Sequence, residues 1–188
     1  MGGFFGTISR KDCKYDVFFG TDYHSHLGTR RGGLAFYDDK KGFQRQIHNI
    51  ENTPFRTKFE SDLNKFTGYA GIGCISDTDP QPLLVRSHLG MFAIATVGRI
   101  NNEDALVEEA FSGPGHQFMA MSSGKVNTTE LTAALINQKD NLVDGIRHAQ
   151  NIIDGSCTIL LLTADGLIAA RDKVGRLPML VGRNADGC

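Results

Sequence analysis

Short apolar runs, cut by glycines and by charged or proline-containing turns, set the pattern of this chain, and their period changes along it. Residues 3–8 are apolar and bracketed by glycines, which predicts a buried strand. Residues 16–26 predict a first helix. Residues 34–37 predict a strand, residues 38–42 its turn, and residues 43–47 the returning hairpin partner. Leu63 and Phe66 give residues 60–66 the look of one short helix, and the glycine-rich apolar stretch 68–75 predicts a central strand. Pro80-Gln81-Pro82 marks a loop. Residues 83–85 and 91–97 predict strands, with His88-Leu89-Gly90 as their turn. Asn101 or Asn102 then caps a helix over 103–111 that carries acidic residues in its first turn and ends in residues 112–115. Asn127-Thr128-Thr129-Glu130 opens a helix running to Asn137. Leu142, Ile146, Ala149 and Ile153 recur at helical spacing over 141–153. Strands follow at 157–163, 166–170 and 177–182, with Ala164-Asp165-Gly166 as a hairpin turn. The helices cluster in two places and do not alternate strictly with strands, so the class is α+β layers, not a doubly wound parallel sheet.

Composition narrows the classes further. The chain has 188 residues, enough to bury roughly 70% of its open-chain surface without staples. Twenty Lys+Arg balance 21 Asp+Glu, so no charge bias steers it toward nucleic acid or an anionic membrane. The longest apolar run, residues 159–162, is far too short to span a bilayer. The opening Met-Gly-Gly-Phe-Phe-Gly lacks a secretory pattern, and Gly6 stands where a myristoylation motif wants Ser or Thr. Cys13, Cys74, Cys157 and Cys188 show no CxxC spacing, which predicts free thiols, a cytoplasmic setting and no zinc site.

Local motifs carry little chemistry on their own. Gly2-Gly3 lacks the lysine and Ser/Thr of a phosphate loop and reads as a flexible start to a strand. His24 and His26, near Asp22, lie two apart and share no helix face, so they predict no metal site. Cys74 has only Ser76 and Asp77 beside it, neither a strong base for a thiol, and reads as a buried structural cysteine. Arg171-Asp172 followed by Gly175-Arg176-Leu177-Pro178 predicts an ordered loop with an internal ion pair.

That last run sits in a longer pattern. Leu160-Leu161-Leu162-Thr163, then Leu167-Ile168-Ala169-Ala170-Arg171-Asp172, then Gly175-Arg176-Leu177-Pro178-Met179, resembles the end of the glutaminase domain of the amidophosphoribosyltransferase family. Other blocks follow in family order. Met1-Gly2-Gly3-Phe4-Phe5-Gly6 is similar to the opening M-C-G-x-F-G. His26-Leu27-Gly28 with Gly32-Gly33-Leu34 resembles H-R-G-Q-E-G-A-G-I. Gly71-Ile72-Gly73 and Gln81-Pro82 resemble G-I-G-H-x-R-Y-S-T … Q-P. The stretch from Ala95 to Asn102 resembles A-H-N-G-N-L-x-N, and Asn127-Thr128-Thr129-Glu130-Leu131 resembles S-D-T-E-V-L. The resemblance covers nearly the whole chain. It implies an N-terminal-nucleophile hydrolase fold, a four-layer αββα sandwich of two mostly antiparallel sheets. It also implies that residues 1–188 form one class II glutamine amidotransferase domain of a longer chain. A phosphoribosyltransferase domain would follow as its partner, with a homo-oligomer as a further option and no cofactor in this domain.

The chemistry matches less well. The family's nucleophile, a cysteine after the initiator Met whose free α-amine is the base, falls at Gly2. The arginine that pairs with the glutamine carboxylate falls at Ser76. The oxyanion asparagine falls at Val97, with its companion glycine retained as Gly98. The aspartate that holds the substrate ammonium falls at Thr128, and the H-R-G arginine at Leu27. The resemblance therefore implies a glutaminase-like domain that has lost hydrolysis and keeps a structural or regulatory role. The alternatives are an active amidotransferase whose position-2 cysteine was substituted or relocated, with Cys74 as the one thiol near the expected pocket, and a binding module for another small molecule.

Overall fold

The computed structural model describes residues 2–112, 118–122 and 124–188, and within them the alternating runs form two stacked sheets. The first is built from β1 (Gly2–Ile8), β2 (Arg31–Asp38), β3 (Gly42–Asn49) and β4 (Ala70–Ser76), in the order β1-β4-β2-β3 and antiparallel throughout. The second holds β5 (Leu83–Ser87) and β6 (Gly90–Ile100), then β9 (Gly155–Thr163) and β10 (Gly166–Ala170), in the order β10-β9-β6-β5, again antiparallel. A small ribbon of β7 (Met121–Ser122) and β8 (Lys125–Val126) stands apart, and the sequence pattern does not predict it.

Side-chain size explains the layering. Between the sheets lie Ala35, Ala70, Ile72 and Cys74 from one side and Ala93, Ala95, Leu160 and Leu162 from the other. Small residues on both inner faces let the sheets close to the usual separation of roughly 10 Å. The outer face of the first sheet offers Leu34, Phe36 and Ile75. These are covered by Val17 and Phe18 of α1 (Lys14–Tyr23) and by Phe55 and Phe59 of α2 (Phe55–Phe59). The outer face of the second sheet offers Phe92, Ile94, Ile159 and Leu161. These pack under Leu106 of α3 (Glu103–Phe111), Leu131 and Leu135 of α4 (Thr128–Ile136) and Ile146 of α5 (Leu142–Ile152). Helices, sheet, sheet and helices make the expected αββα sandwich. Strand β4 is buried at every position because both of its faces are covered.

Several expectations need correction. The helix expected at 60–66 lies upstream, at Phe55–Phe59, directly after Pro54, whose fixed φ suits a helix start. Residues 60–65 form turns, with the Asp62 carboxylate drawn to His48 and Lys65 at 2.6 Å each. The first helix ends at Tyr23, three residues early, and a 3-10 turn follows at Ser25–Leu27. Asn102 precedes α3 but does not cap it. Its side chain instead accepts from Asp154 N and donates to Ile152 O, both at 2.9 Å, tying α3 to the end of α5. The expected ending at 112–115 lies, beyond Ser112, outside the described residues. Asn127 and Asn141 do cap α4 and α5 with their side-chain oxygens. The strand expected at 177–182 does not form. Among the described residues that stretch has no hydrogen-bonded strand neighbour, and Leu180 and Val181 are 94% and 80% exposed. An alternating pattern makes a strand only where another strand offers its free backbone groups. No helix among the described residues is long and apolar enough to cross a membrane.

Candidate functional site

Register alone brings two of the altered positions together. Gly2 on β1 lies opposite Ser76 on β4, and Ser76 lies opposite Arg31 on β2. Directly opposed residues share a face. Ser76 follows Ile72 and Cys74 with period two, so this row continues the inner, between-sheet face to its end. On the second sheet Val97 follows Ala93 and Ala95 by the same rule. Gly98 has φ +156°, and a Cβ there would run into the Ser156 carbonyl, so only glycine fits.

A buried polar network carries α4 to the same end of the sandwich. The Gln81 side chain behaves like a strand beside β6: its Oε1 accepts from Thr96 N at 2.8 Å and its Nε2 donates to Thr96 O at 2.9 Å. Thr129 adds a hydroxyl contact to Thr96 Oγ1 at 2.7 Å and donates to Gln81 Oε1 at 3.0 Å. Asn127 Nδ2 donates to Pro80 O at 3.1 Å. The loop so fixed presents Asp79, whose Oδ2 accepts from Thr128 N at 3.0 Å and from Thr128 Oγ1 at 2.6 Å. Thr78 N donates to Ser76 Oγ at 3.2 Å, which ties the loop back to β4. Gly2 and Ser76 thus meet by strand pairing, Thr128 is bonded to Asp79, three residues beyond Ser76, and Val97 follows Thr96, whose hydroxyl meets Thr129. Leu27, by contrast, falls in the 3-10 turn after α1.

The electrostatics of this end are chiefly negative on the α3–α4 side. Burial raises the Glu103 carboxyl above its ordinary value. Lys125 opposes that shift, and the charges of Asp104 and Asp79 add to it. In the sequence Asp79 reads as one more acidic residue before a proline, with no signal of this role. The bridging role of Gln81 has no signal there either, although its pairing with Pro82 is visible as a motif.

No described side chain at this end supplies a nucleophile. Gly2 has none to offer, and among the described residues only Thr78 is hydrogen-bonded to Ser76 Oγ. Cys74, the expected alternative thiol, is closed off from solvent. It is fully buried between the sheets, and burial pushes its thiol far above the ordinary range. Cys13 is pushed up to about 12 and Cys157 to about 11, each chiefly by burial. His24 Nδ1 donates to Gly20 O and His26 Nδ1 to Tyr23 O, while Asp22 holds Arg56. Among the described residues no group of three His, Cys, Asp or Glu is arranged to hold a metal.

The Arg171–Pro178 loop is ordered, but its expected ion pair is absent. Arg171 donates to Gly175 O at 2.7 Å. Asp172, nearly buried, accepts from Gly175 N at 2.6 Å and from Thr158 Oγ1 at 3.1 Å. Gly175 takes φ +64° to close that turn, and Arg176 and Pro178 are exposed. A surface depression of about 210 Å³ beside it is lined by Gln150, Cys157, Asp172 and Lys173, of which Cys157 is the register partner of Gly98.

Comparison with known proteins agrees with this architecture. A family model described as a glutamine amidotransferase domain matches residues 71–188. The amidophosphoribosyltransferase of Methanocaldococcus jannaschii is 29% identical over 196 aligned positions, covering 98% of this chain and 40% of that protein. The Archaeoglobus fulgidus amidophosphoribosyltransferase is 26% identical, covering 86% of this chain and 36% of its own length. The chain therefore spans about two-fifths of the relatives it matches. Among solved structures, glutamine phosphoribosylpyrophosphate amidotransferase from B. subtilis, complexed with ADP and GMP, superposes with a TM-score of 0.78. Its sequence identity is 24%, over 93% of this chain and 38% of that one. A class II glutamine aminotransferase domain protein from Silicibacter pomeroyi gives a TM-score of 0.56 at 12% identity, over 91% of this chain and 76% of that one.

Proposed function

The chain belongs to the glutamine amidotransferase domain family, and on that premise we propose that this member does not hydrolyse glutamine and serves an amidophosphoribosyltransferase-like protein as a structural or regulatory domain. The observation that carries the reading is the glycine at position 2 and the way β1 packs there. A Cβ on Gly2 would lie 2.5 Å from the Ile75 carbonyl oxygen, backbone that cannot swing aside. The strand is fitted to glycine, which argues against an isolated substitution in an otherwise working site.

The neighbouring positions point the same way. Without a side chain at position 2 no covalent intermediate forms there, and loss of such a nucleophile costs on the order of 10⁶ in rate. Val97 has no donor for an oxyanion, a loss of roughly 10²–10³. Ser76 and Thr128 carry no charge for a zwitterionic substrate. The relatives extend well beyond the matched part, which supports a phosphoribosyltransferase domain as the partner in a longer protein, placed in purine biosynthesis. The test is ammonia release from glutamine at high protein concentration, with thiol-directed glutamine analogues as a second probe. The expected result is no turnover and no labelling that tracks turnover. Turnover abolished by modification of Cys74 would overturn the reading.

A further inference from the structure

One short segment turns apolar side chains to solvent although its backbone is firmly held. Phe118 and Ala120 pack inward against the outer core of the second sheet, while Met119 and Met121 between and beside them are 82% and 56% exposed. Alternation of this kind ordinarily puts polar residues outward, and here both outward residues are methionine. The backbone is pinned from α4 and from β8. Glu130 accepts from Met119 N at 2.8 Å and from Ala120 N at 2.7 Å, Ala120 O accepts from Asn127 N at 2.9 Å, and Met121 pairs with Val126. Phe118 also meets Phe111, the last residue of α3, edge to face with ring centroids 5.4 Å apart, and Phe111 is itself 54% exposed. Contiguous exposed apolar side chains on ordered backbone mark an interaction surface more often than a solvated one.

The surroundings of these side chains are acidic. Helix α3 carries Glu103, Asp104, Glu108 and Glu109 and no basic residue. Among the described residues none of the four forms an ion pair. Glu108 and Glu109 stand in the last turn of α3, where the helix dipole already gathers negative charge, so the helix alone is destabilised by them. Glu108 lies one turn from Phe111 on the same face. Glu130 adds a further carboxylate directly behind Met119.

We propose that this patch docks a basic amphipathic segment of a partner protein, its apolar side chains on Phe111, Met119 and Met121 and its lysines or arginines against the acids of α3. Charge selects that occupant. A second copy of the chain would bring the same acids against one another across a twofold axis. A cationic partner instead neutralises the two glutamates that stand against the helix dipole. Methionine suits such a surface, because its flexible thioether repacks around differing apolar side chains. The proposal does not depend on glutamine being left intact.

Fluorescence anisotropy on the chain tests it, with a labelled Leu/Lys peptide whose leucines recur at helical spacing as probe. The controls are a peptide of the same composition with its leucines scattered and a Leu/Glu counterpart of reversed charge. The amphipathic Leu/Lys peptide is expected to bind at least about tenfold more tightly than either, and its binding to weaken as salt rises. Met119→Ser with Met121→Ser is expected to erase the preference over the scattered peptide. Glu108→Gln with Glu109→Gln is expected to weaken binding at least about threefold, the scale of two exposed ion pairs. Leu180→Ser with Val181→Ser, at an exposed apolar pair elsewhere, is expected to change nothing. A thermal scan checks that each variant folds, and Met119→Ser alone decides if the double change does not. Equal binding of the three peptides overturns the proposal, as do folded patch variants that bind like the parent, or a loss at Leu180 and Val181 equal to that at the methionines. Dimerisation in sedimentation that the methionine changes abolish overturns it too, since a second copy would then be the occupant.

Discussion

The loop-and-helix side of the site and the strand-end side have diverged in different ways. On the first, Gln81, Thr96, Asn127 and Thr129 form a buried network in which each polar group named has a partner. On the second, Gly2, Ser76 and Val97 offer neither nucleophile, countercharge nor oxyanion donor. Both sides lie at one end of the same sandwich. The difference lies in what each group supports. Breaking the network would leave β6 backbone groups unsatisfied in the interior and destabilise the domain. Emptying the strand ends removes chemistry and leaves the hydrogen-bonded ladder intact. Scaffold and reaction are thus specified by separate residues, and on the proposed reading one persists without the other.

The sharpest test of that contrast is Gln81→Ala. It strips Thr96 N and O of their partners at once, and a loss of about 3 kcal/mol of stability is expected in denaturant unfolding. A loss below about 1 kcal/mol would break the comparison, because the network would then carry no special weight. Asn127→Ala is next. It removes the cap on Thr129 N and Glu130 N and the bond to Pro80, and about 1–2 kcal/mol should go with it.

A polar latch outside the site serves as a control. Asp62 is buried, and burial alone would raise its carboxyl, but His48 and Lys65 outweigh this and hold it below its ordinary value. A carboxylate depressed in the folded state adds stability above its unfolded pKa and loses it as pH falls through the folded value. The stability gap between the parent and Asp62→Asn is therefore expected to be full at neutral pH and to close in acid, below about pH 4. A gap constant with pH would mean that packing, not charge, fixes the turn. The smallest effect belongs to the emptied side. Ser76→Ala should change stability by less than about 1 kcal/mol, since the Thr78 amide it serves lies at the loop's edge.

Most of the layering is legible in the sequence because it rests on alternation. Apolar runs make 68–75 read as a central strand and 157–163 as a strand, and Asn127 and Asn141 stand at the helix starts they cap. The misses have physical causes. Leu177 to Gly182 is a short apolar run as a buried strand is, but pairing is a property of two segments and a sequence pattern sees one. Residues 60–66 have helical spacing, but Pro54 starts the helix earlier and Asp62 is held by His48 on β3. At the site, the departures from the family pattern that support the proposed loss, at positions 2, 76, 97 and 128, are visible in the residues themselves. Asp79 is not, because its closeness to Thr128 depends on a loop fixed by a glutamine side chain that imitates a strand.

The central claim, a retained scaffold around a dismantled reaction centre, is tested most directly by ammonia release from the Gly2→Cys variant after removal of the initiator Met. The new thiol would face a site with no arginine at 76, no asparagine at 97 and no aspartate at 128, on a strand whose fit to β4 leaves a Cβ 2.5 Å from the Ile75 carbonyl. Residues that act as a unit are strongly non-additive. The missing oxyanion donor alone should cost roughly 3–4 kcal/mol, and each missing charged contact about 1.5–3 kcal/mol. The account predicts glutamine turnover that stays many orders of magnitude below that of an ordinary glutaminase. It also predicts that the fourfold change Gly2→Cys, Ser76→Arg, Val97→Asn and Thr128→Asp recovers more, where the fold accepts it. Ordinary glutaminase rates from Gly2→Cys alone would contradict the account and mark Gly2 as an isolated substitution in a working site.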